Sequence, residues 1–149
     1  MKRKYLAALL ACILLAGFPL PASAEEGNDP PSDTETLRIT SAEDLLRFAE
    51  NCALDSWSQN QQVLLTADIS LEGTDFAPIP TFGGSFDGGG HTISGLSLTQ
   101  SLSPAGLFGT LQPTAVVKNL TVQGTVTPGG DGLSVGGIVG ENHGGVAQG

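Results

Sequence analysis

The hydrophobic positions change rhythm three times along the chain. From Leu6 to Leu20 apolar residues run almost unbroken. Between residues 42 and 53, Leu45, Leu46, Phe48, Ala49 and Cys52 recur at helical spacing and predict one amphipathic helix. Ser41 precedes it and Asp44 follows three residues on, a variant of the capping box, with Glu43 and Asp44 where the helix dipole favours acids. A polar stretch from Asp55 to Gln62 carries the only tryptophan, Trp57. The period then falls to two. Leu65, Ala67, Ile69 and Leu71 share one face and predict a strand from Val63 to Leu71.

At Gly83 the chain becomes glycine-rich, with eighteen of its 21 glycines between Gly83 and Gly149, interleaved with Val, Ile, Leu, Ser and Thr. This pattern predicts short strands separated by turns, and it repeats. Ile93-Ser94-Gly95-Leu96-Ser97-Leu98 aligns with Val117-Lys118-Asn119-Leu120-Thr121-Val122, 24 positions on. Gly106-Leu107-Phe108-Gly109 aligns with Gly137-Ile138-Val139-Gly140, 31 positions on. Periods in this range mark stacked repeats. Leu120, Val122 and Val126 alternate with Thr121, Gln123 and Thr125, which sets one series inward and the other toward solvent. Gly95, Asn119 and Gly124 are placed where a coil would turn a corner or take positive φ. One such rung cannot bury its apolar face alone and must stack on the next with parallel strands. The expected fold is mainly β: a right-handed parallel β-helix (a solenoid) with a short N-terminal capping helix. A β-sandwich is the alternative.

The start of the chain changes the picture of its destination. Lys2, Arg3 and Lys4 precede the apolar run, and Ala22-Ser23-Ala24 follows it, the layout of a signal peptide over 1–24 cleaved after Ala24. Leu9-Leu10-Ala11-Cys12 resembles a lipobox, but apolar residues continue beyond Cys12, so lipoprotein attachment is the minor reading. Residues 25–36 are acidic, carry Pro30-Pro31 and predict a disordered linker. Segment 37–82 then forms an N-terminal cap of helix and first strand, and 83–149 the rungs. Cleavage would leave Cys52 alone, a buried thiol at an apolar helical position.

Composition limits the partners. Charged residues are only 14% of the chain and its net charge is −9. Beyond the leader, only Arg38, Arg47 and Lys118 face fifteen acidic residues. Nucleic acid is thereby excluded as a partner, because no basic surface exists to release counterions. The apolar run is shorter than the roughly 20 residues that span a bilayer, so a retained anchor is the minor reading and no stable membrane span is expected after signal cleavage.

The repeated Gly-Leu-Phe-Gly and Gly-Ile-Val-Gly resemble the GLUG motif (Gly-Leu-hydrophobic-Gly). That motif occurs in bacterial surface adhesins and in non-catalytic regions of immunoglobulin-A-specific metalloproteases. Phe86-Asp87-Gly88-Gly89-Gly90-His91-Thr92-Ile93 resembles the FDGxGHTI rung that precedes such repeats. Thr40 to Leu46 and Leu65 to Leu71 resemble the helix and first strand of its cap. The resemblance covers about Leu37 to Gly149 and implies a secreted or cell-surface, adhesin-like β-helix.

Candidate chemistry is sparse. Asp87 and His91 stand four apart around three glycines, but Asp at the head of a glycine turn is an ordinary backbone partner, and both are read as structural. The glycines lack the Lys-Ser/Thr of a phosphate loop. His143, beside Glu141 and Asn142, lacks the His-Glu-x-x-His zinc spacing. Asp68, Asp75, Asp87 and Asp131 are too scattered for a calcium loop. Phe82, Phe86 and Phe108 are assigned to the core, which leaves Trp57 as a possible stacking platform for a sugar. Asn119-Leu120-Thr121 fits the N-glycosylation sequon but is read as part of a strand. No cofactor, metal or catalytic residue is expected.

The functional expectation is a non-enzymatic structural or adhesive module, with a host or cell-surface glycan or protein as its partner. Alternatives are the non-catalytic front of a surface metalloprotease and a polysaccharide-active β-helix enzyme. The pattern stops in Gly144-Gly145-Val146-Ala147-Gln148-Gly149 as another strand starts. This predicts the N-terminal part of a longer protein, able to self-associate through an open last rung.

Overall fold

The computed structural model describes residues 35–99, 103–127 and 134–149. The leader with Cys12, the linker through residue 34, and the 128–133 loop with Asp131 lie outside the described residues. The elements are β1 (Thr36–Ile39), α1 (Ala42–Asn51), β2 (Gln62–Leu65), β3 (Ile69–Ser70), β4 (Ile79–Phe82) and β5 (Ser85–Asp87). There follow β6 (Thr92–Leu98), β7 (Phe108–Leu111), β8 (Val116–Lys118), β9 (Thr121–Val126), β10 (Val139–Asn142) and β11 (Val146–Gln148).

The strands form three sheets, ordered β1-β2-β5-β8-β11, β3-β6-β9 and β4-β7-β10. Every strand pairing is parallel. From β2 onward the chain visits the three sheets in strict rotation, which makes a β-solenoid of about four turns with one short helix among the described residues. The sandwich alternative is set aside by this order. The rotation begins at β2, so the first turn is in place before the composition changes at Gly83. β1 opens at Thr36, the last residue assigned to the linker.

In the first two turns every strand sends at least one apolar side chain into a common interior. Val63, Phe86 and Val117 succeed one another on the first sheet, Ile69 and Ile93 on the second, Ile79 and Phe108 on the third, and all are buried. Phe48, Phe82, Phe86 and Phe108 meet edge-on or tilted, with ring centroids 5.3 to 6.3 Å apart. Such aromatic pairs add about 0.5–1.5 kcal/mol each beyond the area they bury. α1 lies over the first turn. Ser41 Oγ accepts the Asp44 N–H at 3.2 Å, and Asp44 in return accepts from the Thr40 backbone and hydroxyl at 3.1 and 2.7 Å. These bonds hold the Asp44 carboxyl below its ordinary 3.8, the Thr40 hydroxyl being the main cause. Leu45, Phe48 and Ala49 face the interior, and Cys52 caps the helix fully buried. Burial pushes that thiol up to about 12.

Three expectations need correction. The strand expected from Val63 to Leu71 is two strands, β2 and β3, with a corner at Thr66-Ala67-Asp68. The alternation ran through unbroken because Leu65, Ile69 and Leu71 all point inward on either side of the bend. The 24-residue alignment does not describe the stacking: Ile93 lies beside Val122, and Val117 beside Phe86. Ile93–Leu98 lies wholly within β6, with Gly95 at an irregularity of that strand, whereas the second hexapeptide runs from β8 through the Asn119 corner into β9. Gly124 sits inside β9 rather than at a turn, pressed against the Leu96 carbonyl, where any Cβ would collide. Gly95 at φ 73° and Asn119 at φ 53° do adopt the left-handed region. The 31-residue alignment holds, since Val139 pairs with Phe108.

Candidate functional site

Asp68, Asp87, His91 and Asn119 gather at the corner between the first and second sheets, but Asp87 and His91 do not face one another. Asp87 ends β5. Its Oδ1 accepts the Gly89 N–H at 2.9 Å and the Asn119 side-chain amide at 3.0 Å, and its Oδ2 lies 3.3 Å from Lys118 Nζ. The Gly89 bond first, then Asn119 and Lys118, hold the Asp87 carboxyl below its ordinary 3.8. His91 turns toward the preceding turn, its Nδ1 3.2 Å from Asp68 Oδ1. The same Asp68 oxygen accepts the Thr92 N–H at 2.9 Å, and that bond, ahead of His91, lowers the Asp68 carboxyl. Asp87 therefore ties the corner to the next turn and His91 ties it to the previous one. Gly89 and Gly90 have φ of 59° and 78°, and a Cβ on Gly88 would strike the Asn119 carbonyl. Backbone crowding at Gly88 and left-handed φ at Gly89 and Gly90 account for the triple glycine.

The tetrads Gly106-Leu107-Phe108-Gly109 and Gly137-Ile138-Val139-Gly140 bring adjacent turns into close contact on the third sheet. A Cβ on Gly106 would lie 2.8 Å from the Gly140 nitrogen, and one on Gly140 would lie 2.7 Å from the Ala105 nitrogen. A Cβ on Gly109 would come within 3.0 Å of the Pro80 carbonyl, whereas Gly137 has open space. Leu107 and Phe108 are fully buried; Ile138 and Val139 are half-buried against the same core.

Trp57 is half-buried, its ring 6.0 Å from Phe48 at 61°. The recess beside it, with Leu37, Arg47 and Asn51 on its walls, holds about 80 Å³. Small-molecule sites run to about 300–1,000 Å³. His143 Nε2 lies 3.3 Å from Glu141 Oε1 on the surface, while Asn142 closes its turn through Gly144 and Gly145. Among the described residues no three His, Cys, Asp or Glu side chains converge as metal ligands. Asn119 turns the corner between β8 and β9, as its place between the strands predicts, so of the Asn119-Leu120-Thr121 triplet only Thr121 lies in a strand.

Two features escaped the sequence. Ser58, fully buried, accepts the Gly83 N–H at 3.1 Å, and Gln112 Nε2 donates to the Asp55 carbonyl at 3.0 Å and to Thr81 Oγ1 at 3.2 Å. Together they fasten the polar connection after α1 to the second and third turns. A groove of about 230 Å³ also lies between α1 and the approach to β4, lined by Leu46, Ala49, Ala53, Ala77, Pro78 and Pro80 with Glu50 and Asp75 at its rim. The helical period of the first three and the Ala77-Pro78-Ile79-Pro80 string were visible, but not their meeting.

The architecture defines the class: a parallel β-solenoid whose conspicuous polar residues join turn to turn, a fold that fits a structural or adhesive module. No family model matches the chain, and no solved structure matches it. A stretch of 72 residues is 44% identical to part of halomucin from Haloquadratum walsbyi, covering 47% of this chain and 1% of halomucin. The described residues contain no helix long and apolar enough to cross a membrane.

Proposed function

We propose that the chain is an exported, cell-surface structural or adhesive module of the GLUG kind, without catalytic chemistry of its own, that engages a surface glycan or protein. One observation carries this reading. The corner groups that could have formed an acid–base pair, Asp87 and His91, are committed in opposite directions along the stack, to Asn119 and Lys118 on one side and Asp68 on the other. They serve the joining of turns. The short Thr- and Ser-bearing outer positions and the shared stretch with a protein named halomucin support a surface role.

Expression of the complete sequence, leader included, in a secreting bacterium tests export. Recovered protein is expected to begin at Glu25; an acylated Cys12 at its N-terminus, or protein retaining residues 1–24, contradicts the leader reading. The exported protein is then incubated with surface polysaccharides. Retention without new reducing ends is the expected result, and release of reducing ends would make it an enzyme.

A further inference from the structure

α1 carries two apolar stripes, and the core uses only one of them. Leu45, Phe48 and Cys52 face the interior and are fully buried. Leu46, Ala49 and Ala53 follow the same period one step further round and wall the groove of about 230 Å³, opposite Ala77, Pro78 and Pro80. Leu46 and Pro78 are half-buried, while Ala53, Ala77 and Pro80 are exposed. Leu54, next along the chain from Ala53, is 68% exposed, the highest value for a large hydrophobic among the described residues.

The charges at this groove are all of one sign. Glu50 and Asp75 stand at its rim. The last turn of α1 holds no basic residue, so its terminal carbonyls add negative potential at the same end. Glu43, Asp44, Asp68, Asp87 and Glu141 each lie within ion-pairing distance of an Arg, Lys or His, whereas no ion pair among the described residues includes Glu50 or Asp75. The backbone here is a poor partner for an added strand, because Pro78 and Pro80 have no N–H to donate. What the groove offers is an apolar floor under a carboxylate rim, the complement of a side chain with an aliphatic stem and a cationic head. An apolar cavity of about 150 Å³ accepts benzene, so the groove has room for such a side chain. Arginine fits better than lysine. Its guanidinium is less strongly hydrated and presents five donors in a plane, enough to serve two carboxylates at once.

We infer that this groove docks an arginine side chain from an extended segment of a partner protein, with an apolar neighbour of that arginine resting on Leu54. The inference rests on the adhesive reading above in taking the partner to be a protein. Beyond the leader, fifteen acidic residues against Arg38, Arg47 and Lys118 favour the approach of a cationic segment. A second copy of the chain is the poorer occupant: two such acidic surfaces repel, and Arg47 is already paired with Glu43 at 3.0 Å.

The probe is the end-blocked peptide Gly-Ser-Leu-Arg-Leu-Ser-Gly, titrated into the isotopically labelled full chain. The control peptide carries citrulline, the uncharged analogue of arginine. Saturable shifts are expected at the amides of Leu46, Ala49, Glu50, Ala53 and Ala77, with the citrulline peptide weaker by about tenfold or more. The Glu50→Gln, Asp75→Asn double variant and Ala53→Phe, which fills the groove with its charges intact, should each weaken binding by about tenfold or more. All three positions are exposed, so unfolding midpoints should stay unchanged. Absence of binding, equal binding of the citrulline peptide, or undiminished binding to Ala53→Phe overturns the inference. A dimer in sedimentation that Arg38→Gln abolishes also overturns it, since a second copy would then be the occupant. Glycan retention is scored separately: its loss with peptide binding intact counts against the functional reading, and the reverse counts against the groove alone.

Discussion

At the scale of single residues, position along the stack decides how much a side chain matters. Phe108 is fully buried among Phe82, Phe86 and neighbouring aliphatics, so Phe108→Ala should cost about 3–5 kcal/mol, the usual range for a buried aromatic truncated to alanine. Val122 faces the same interior from the next turn but is half-buried, and Val122→Ala should cost under about 1 kcal/mol. Urea midpoints at a common slope compare the two, and equal losses would mean the burial gradient is wrong. Cys52 offers a second reading at this scale. Its thiol, pushed up to about 12 by burial, carries almost no thiolate at pH 8. In a Cys12→Ala chain, Cys52 is expected to resist a thiol reagent until denaturant opens the fold; prompt labelling of the native protein would place it outside the core.

Among elements, the corners hold the turns in register, and they are acid-sensitive in a definite direction. Asp44, Asp68 and Asp87 all sit below their ordinary 3.8 because folded partners favour the carboxylate. Their contribution is complete above the unfolded value and is lost as pH falls through the lowered folded values, so the stability lost in this way goes below about pH 4. Unfolding midpoints measured from pH 6 to pH 2.5 should fall at the acid end, and the fall should be shallower in the Asp68→Asn, Asp87→Asn double variant. An identical pH profile would show that these bonds do not distinguish folded from unfolded chain. These corners also explain what sequence could and could not reveal. The inward placing of Leu65 and Ile69 was legible because a period of two survives burial, and that of Phe86 and Phe108 because each lies near glycines in the apolar pattern. The bend at Thr66-Ala67-Asp68 was not, because apolar residues face inward on both sides of it. The 31-residue repeat was legible through its paired glycines, whereas the 24-residue match followed composition alone and set one strand, β6, against the corner between β8 and β9. The fastening by Ser58 and Gln112 left no pattern, since a single polar residue bonding to a distant backbone group has no period.

For the whole molecule, parallel stacking makes each turn depend on its neighbours, and the aromatic cluster joins α1 to the first two turns. The candidate corner follows from that architecture, Asp87 reaching along the stack to Asn119 and Lys118 and His91 reaching the other way to Asp68. The joining role of the corner residues depends on which residues lie side by side, and that is directly measurable. Inter-strand NOEs on isotopically labelled protein should connect Ile93 with Val122, Phe86 with Val117 and Phe108 with Val139 in the parallel pattern. Contacts between Ile93 and Val117, or the close Hα–Hα pairs of antiparallel strands, would contradict the solenoid.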